Sequence, residues 1–192
     1  STARAVNWPS SAAGAMALSQ RGIKVIAIAD LTGGIHNSGG IDVEALQKHV
    51  RATGRIEGFP EGEPIEITKI FETDCEILLP AAGGSQITTN NAGRIKARII
   101  AEGANAPTTP RAEALLEASD VFIIPDILCN AGGVFVSYLE YMQETQREQM
   151  TLDIVESRLR ERMMQRFTDV LAFAKQRRCS PRVAAMDLAI AR

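Results

Sequence analysis

Four short apolar runs stop abruptly at an acid, a proline or a glycine: IKVIAIAD (23–30), CEILLPAA (75–82), ARIIAEGAN (97–105) and VFIIPD (121–126). Runs this short and this continuously apolar suit strands buried on both faces. Amphipathic stretches separate them, SSAAGAMALSQRG (10–22), IDVEALQKHVRATG (41–54) and TPRAEALLEASD (109–120), each with a glycine, proline or acid where a helix would begin or end. A leading ARAV (3–6) adds a further short strand. Such alternation predicts an α/β fold: a doubly wound, mostly parallel sheet with helices on both faces. LTGGIHNSGG (31–40) reads as a glycine-rich loop, and ITTNNAGRIK (87–96) as a short helix.

Beyond Gly133 the pattern is helical almost to the end. Gln146–Met150 mark a joint, and Val155, Leu159, Met163 and Phe167 recur at i+4 along one long helix. A last helix starts near Ser180–Pro181. The expected organisation is a sheet domain over 1–142 and a helical appendage over 143–192.

Composition narrows the function classes. Lys plus Arg number 21 against 23 Asp plus Glu, a net charge of −2, which offers no basic surface for nucleic acid. No apolar run approaches the ~20 residues that span a bilayer, and no charged-then-apolar leader opens the chain. Three widely spaced cysteines, Cys75, Cys129 and Cys179, fit unpaired thiols in a reducing compartment, hence the cytoplasm. No CxxC or HxxxH spacing supports a metal, and His36 and His49 lie far from any cysteine.

In a doubly wound sheet, ligands bind beyond the carboxyl ends of the strands. The loops at 32–40, 80–85, 103–107 and 129–133 follow strands in this way. Asp30 ends one strand, where an acid can accept from the hydroxyls of an adenosine ribose and repel a 2′-phosphate; a plain loop or cap carboxylate is the alternative. Asn105 and Asn130 each follow a strand among small residues. A side-chain amide there can match a nicotinamide carboxamide or a ribose hydroxyl, or can serve as a turn or N-cap residue. Val134 and Ser137, three apart near a helix start, can face a small substrate or simply pack.

One feature runs against a dinucleotide site. Counting back from Gly22, the first strand-to-helix turn is VNWPSS (6–11), and Val6, Trp8 and Ser11 stand where the three glycines of G-x-G-x-x-G belong. A tryptophan at the second position would fill the phosphate site. This supports a rival reading, a non-catalytic binding or assembly module.

The motifs KVIAIADLTGGIHNSGGID, GFPEGEPI, CEILLPAA, ARIIAEGANAPTTPRAEALL, DVFIIPDILCNAGGVFVSYLEYMQ and AAMDLAIAR, in this order, resemble the C-terminal, nucleotide-binding half of the hexameric glutamate dehydrogenases, in the Glu/Leu/Phe/Val dehydrogenase superfamily. The resemblance runs from about Gly22 to the end and implies a Rossmann-like domain. It implies that Asp30 lies beside the adenosine ribose, and that the Pro80–Ala81–Ala82 backbone lines the cofactor cleft. Asn105 and Asn130 then lie at the nicotinamide end, and Val134 and Ser137 surround the glutamate side chain, the serine on its γ-carboxylate. The implied reaction is reversible oxidative deamination of L-glutamate to 2-oxoglutarate and ammonia, with NAD as cofactor and NADP possible. Leucine- or valine-type dehydrogenases are the nearest alternatives. The family's catalytic lysine and aspartate belong to an N-terminal domain absent here, so no catalytic residue is expected in this chain and no turnover from it alone. Family hexamers assemble mainly through that domain. Gly83 stands where a leucine is common, and Arg192 comes before the family's usual last residues. About ten residues separate Tyr141 from Leu152, so the helical antenna of the animal enzymes is missing and the chain resembles the shorter bacterial type.

Overall fold

The computed structural model describes residues 2–6, 10–146 and 149–191. Among the described residues, seven strands form one sheet: β1 (Thr2–Val6), β2 (Lys24–Asp30), β3 (Gly33–His36), β4 (Glu63–Pro64), β5 (Ile77–Pro80), β6 (Ile99–Ala101) and β7 (Phe122–Ile124). Their order is β4-β3-β2-β1-β5-β6-β7. β1 runs parallel to β2 and to β5, and β5 parallel to β6, whereas β3 and β4 form an antiparallel edge. The chain winds outward from β1, then returns to β1's other side. The sheet therefore reverses direction at β1, which is where doubly wound folds place their ligands.

Helices α1 (Ser10–Ser19) and α2 (Val43–Thr53) cover one face, where Ala15, Leu46 and Val50 pack with Val25, Ile28 and Ile35. A 3₁₀ segment at Ile67–Glu72 and α3 (Pro110–Ala118) cover the other, with Ile70, Phe71, Ala112 and Leu116 against Ala27, Leu78 and Ile100. The expected mostly parallel, doubly wound architecture is thus the one observed. β2 carries an extra residue against β1, since Ala3 pairs with Val25 but Arg4 with Ala27. A bulge puts two successive residues on one side, and Ile26 and Ala27 accordingly join the same core cluster.

Local chemistry explains the helix ends. Asp42 caps α2 by accepting from the amides of Glu44 and Ala45, both at 3.0 Å, and Gly54 closes it at φ 76°. Pro110 sits in the first turn of α3, where its missing N–H costs nothing.

Two sequence expectations are corrected. The stretch 31–40 is not all loop: residues 33–36 are β3. Its glycines permit close strand approach, because a Cβ on Gly34 would lie 2.8 Å from the Ile65 carbonyl oxygen. The stretch 87–96 contains only a three-residue 3₁₀ turn, Ala92–Arg94. There Asn91 accepts from the Thr88 amide and donates to the Gln86 carbonyl, both at 2.8 Å, and this local alternative competes with a helix.

The chain divides into two compact units, 1–123 and 124–192. Residue 142, the boundary expected from sequence, lies inside a helix. The second unit holds α4 (Asp126–Cys129), α5 (Gly132–Gln146), α6 (Leu152–Arg177) and α7 (Pro181–Ile190). Its core joins Leu128, Val170, Ala174, Ala184 and Ala185, and Arg182 on α7 donates to Asp126 on α4 at 2.6 Å. No helix among the described residues is long and apolar enough to cross a membrane.

Candidate functional site: the carboxyl edge of the sheet

Register sets the geometry of this edge. Val6 at the end of β1 pairs with Ala29 on one side and Pro80 on the other. Strands lie ~4.8 Å apart, so Ala29 and Pro80 flank the central strand end about 10 Å from each other. Asp30 is the next residue beyond Ala29 on β2. The turn residues 7–9, on which the missing glycine fingerprint was read, lie outside the described residues.

Asp30 is buried, with 8% of its surface exposed. Its Oδ1 accepts from the Thr32 amide at 2.7 Å and from the Thr32 hydroxyl at 2.5 Å, while Oδ2 accepts from no described residue. The hydroxyl oxygen of Thr32 in turn accepts from the Ile56 amide at 3.1 Å. Thr32 escaped the sequence reading. Its backbone amide, two residues after the strand-ending acid, makes an ordinary Asx turn, to which the hydroxyl adds a second donor.

The loops after β5 and β6 are tied together. Ala104 donates to the Pro80 carbonyl at 2.9 Å, Ser85 to Ala106 at 2.8 Å, and Ile87 to Pro107 at 2.8 Å. Pro80 and Ala81 are buried, and Ala82 is half-buried. A Cβ on Gly103 would touch Ala81 and Leu79 at 3.4 Å, so the two strand ends pack as closely as glycine allows. Asn105 is exposed on this joined edge. Both partners of the Ser85–Ala106 bond adopt positive φ, 55° and 45°, although neither is glycine. Strain of this kind collects at functional sites. Glu102, passed over in the sequence, is fully buried at the same edge. Beside the Ile87–Thr108 bridge, the buried atoms Gln86 Oε1 and Thr108 Oγ1 have no hydrogen-bond partner among the described residues.

Asn130, Val134 and Ser137 belong to the second unit. Asn130 does not cap α5. It is the C-cap residue of α4, at φ −101° and ψ 5°, and its amide donates to the Asp126 carbonyl. An N-cap needs extended backbone, which Asn130 lacks, and the one-turn helix α4 separates it from β7. Val134 and Ser137 share an exposed face on the first turns of α5, Val134 with 76% of its surface accessible. An apolar side chain so exposed is not core packing. The opposite face of α5 does pack: Phe135 lies under the Arg162 guanidinium of α6, 5.8 Å from the ring centroid.

Chemically, this edge offers one carboxylate oxygen that accepts from no described residue, a closely packed backbone, and an exposed asparagine, Asn105, whose side chain can both donate and accept. Groups of this kind can hydrogen-bond a polar ligand.

The chain is similar to known proteins over nearly its whole length. A sequence profile of the glutamate/leucine/phenylalanine/valine dehydrogenases matches residues 11–192. The chain is 42% identical over 179 residues to the glutamate dehydrogenase of Thermotoga maritima, covering 93% of this chain and 43% of that protein. The hetero-hexameric glutamate dehydrogenase of Thermus thermophilus, in its leucine-bound form, superposes with a TM-score of 0.91 at 26% identity, over 98% of this chain and 44% of that one. The Peptoniphilus asaccharolyticus glutamate dehydrogenase gives 0.81 at 27% identity, over 96% and 43%. The chain thus spans less than half the length of the relatives it matches. With a profile match over nearly its whole length, the chain belongs to the glutamate/leucine/phenylalanine/valine dehydrogenase family, oxidoreductases that use a nicotinamide dinucleotide.

Proposed function

We propose that this chain is the cofactor-binding part of a glutamate dehydrogenase, acting in the reversible oxidative deamination of L-glutamate to 2-oxoglutarate and ammonia. The observation that carries the reading is Asp30. It is an acid at the carboxyl end of β2, next to the strand where the sheet reverses, with one oxygen held and one open to a hydroxyl. Its charge opposes a 2′-phosphate, so NAD is the preferred cofactor over NADP.

When bound, the nicotinamide accepts hydride from the substrate Cα. This chain's residues bind and orient. Asp30 accepts from the adenosine ribose, the Pro80–Ala81–Ala82 backbone lines the cleft, and Asn105 and Asn130 hold the nicotinamide end. Val134 and Ser137 face the glutamate side chain, the serine hydroxyl donating to its γ-carboxylate. A hydroxyl rather than an apolar side chain at 137 favours glutamate over leucine. Proton transfer is assigned to a further domain of the full-length enzyme, so this chain by itself is inactive. A homo-oligomeric, hexameric assembly and a cytoplasmic location belong to the same reading. In the full-length protein, Asp30→Ser is expected to lower the NADH-over-NADPH preference about tenfold, by the loss of one charge-assisted hydrogen bond and one repulsion. An unchanged ratio would remove Asp30 as the selector.

A further inference from the structure

We infer that Thr32 is a positioning residue for cofactor selection, an inference that rests on Asp30 contacting the ribose. A carboxylate on a strand end can rotate about χ2, and a rotating acid discriminates poorly, because it can turn from a 2′-phosphate as readily as toward a 2′-hydroxyl. Here rotation is blocked. The Thr32 amide (2.7 Å) and hydroxyl (2.5 Å) both donate to Oδ1, which fixes the carboxyl plane and leaves Oδ2 as the acceptor for a ligand. The hydroxyl has one proton, and a competing acceptor would draw it from Asp30. Instead its oxygen accepts from the Ile56 amide at 3.1 Å, so that proton is directed at the carboxylate. The relay runs from Ile56 N–H to the Thr32 hydroxyl to Asp30. Each donor polarises the next, which strengthens the last bond.

The anchor of this relay is rigid. Ile56 is fully buried in the core cluster beneath α2, and its segment follows the α2 C-cap at Gly54. Gly33, at φ 152°, completes the reversal from β2 to β3, and a Cβ placed there would meet the Cβ of Glu57 at 3.6 Å. Through the Ile56 amide the segment after α2 is tied to the β2–β3 turn. Through Thr32 it sets the direction of an acid to which it is not itself bonded. Leu31, between the two, is 92% exposed and contributes nothing to the relay.

The test is a fluorescence titration of the full-length protein with NADH and with NADPH, for wild type, Thr32→Val, Thr32→Ala, Thr32→Ser and Asp30→Asn, with thermal unfolding as the check on folding. Thr32→Val removes the hydroxyl proton and the acceptor for Ile56. Thr32→Ala does the same and leaves room for water at the Ile56 amide, and so serves where the valine variant does not fold. Thr32→Ser keeps the relay. The expected result is a fall in the NADH-to-NADPH affinity ratio of about tenfold for the valine or alanine variant, the scale of one hydrogen bond to a charged group, with Thr32→Ser within about twofold of wild type on the same scale. A folded Thr32→Val or Thr32→Ala that keeps the wild-type ratio, while Asp30→Asn changes it, would overturn the role of Thr32 and leave Asp30 as the selector. If Asp30→Asn also leaves the ratio unchanged, the ribose reading itself fails and the inference falls with it.

Discussion

At the scale of single residues, the carboxyl edge trades stability for shape. Ala106 holds φ 45° directly after Asn105, in a conformation that disfavours a Cβ. Ala106→Gly is expected to relieve this and raise unfolding stability by up to about 1 kcal/mol, part of the gain being offset by a freer unfolded chain. Chemical denaturation checks it, and a clear loss of stability would mean the backbone there is not strained. Glu72 illustrates a different economy. Arg94 Nε at 2.7 Å and Lys69 Nζ at 3.1 Å hold its carboxyl below the ordinary glutamate range, Arg94 most strongly. A carboxyl lowered by folding adds stability that is present above its unfolded pKa and is lost as pH falls through the lowered value. Arg94→Ala should therefore raise the Glu72 pKa toward its ordinary value and flatten that acid-side loss, as followed by carboxyl-detected NMR titration. Asp30 was legible in the sequence because a strand-ending acid is a local pattern. Thr32 and Ile56 are 24 residues apart, and no local pattern joins them.

At the scale of elements, close approach governs the antiparallel edge. β3 pairs with β2 and β4, and its Gly34 faces the Ile65 backbone oxygen at a distance no Cβ tolerates. Gly34→Ala is expected to cost about 1–3 kcal/mol, since a main-chain oxygen cannot swing aside as a side chain can. Thermal unfolding would show a lowered midpoint, and an unchanged one would mean β4 moves away freely. Gly83 is the counterexample. A Cβ there meets no atom within 4 Å, so Gly83→Ala would be accommodated. The buried strands and capped helices were readable because apolar runs and capping residues are local. β3 was misread as loop because glycine signals a turn in sequence, whereas here it signals one strand pressed against another.

For the whole molecule, the question is whether a sheet without its fingerprint glycines still takes a dinucleotide. The register of Val6 with Ala29 and Pro80 is that of a sheet reversing at β1, and the packing of the β5 and β6 loops is intact beside it. Calorimetric titration of the 192-residue chain is accordingly expected to show NADH binding in the micromolar range, tighter than NADPH. No heat with either, on a folded sample, would favour the rival reading of a module that has lost its ligand. The sequence alone determined the α/β class, five of the seven described strands, most helix ends and the acid at position 30, because each follows from the spacing of apolar residues and from local capping chemistry. It also carried the family, through long motifs in order. Only the tertiary structure decided the strand order, the antiparallel edge, the place of Asn130 behind a one-turn helix and the brace on Asp30. These depend on contacts between segments far apart in the chain, and such contacts are set by how faces pack rather than by the periodicity of any one of them.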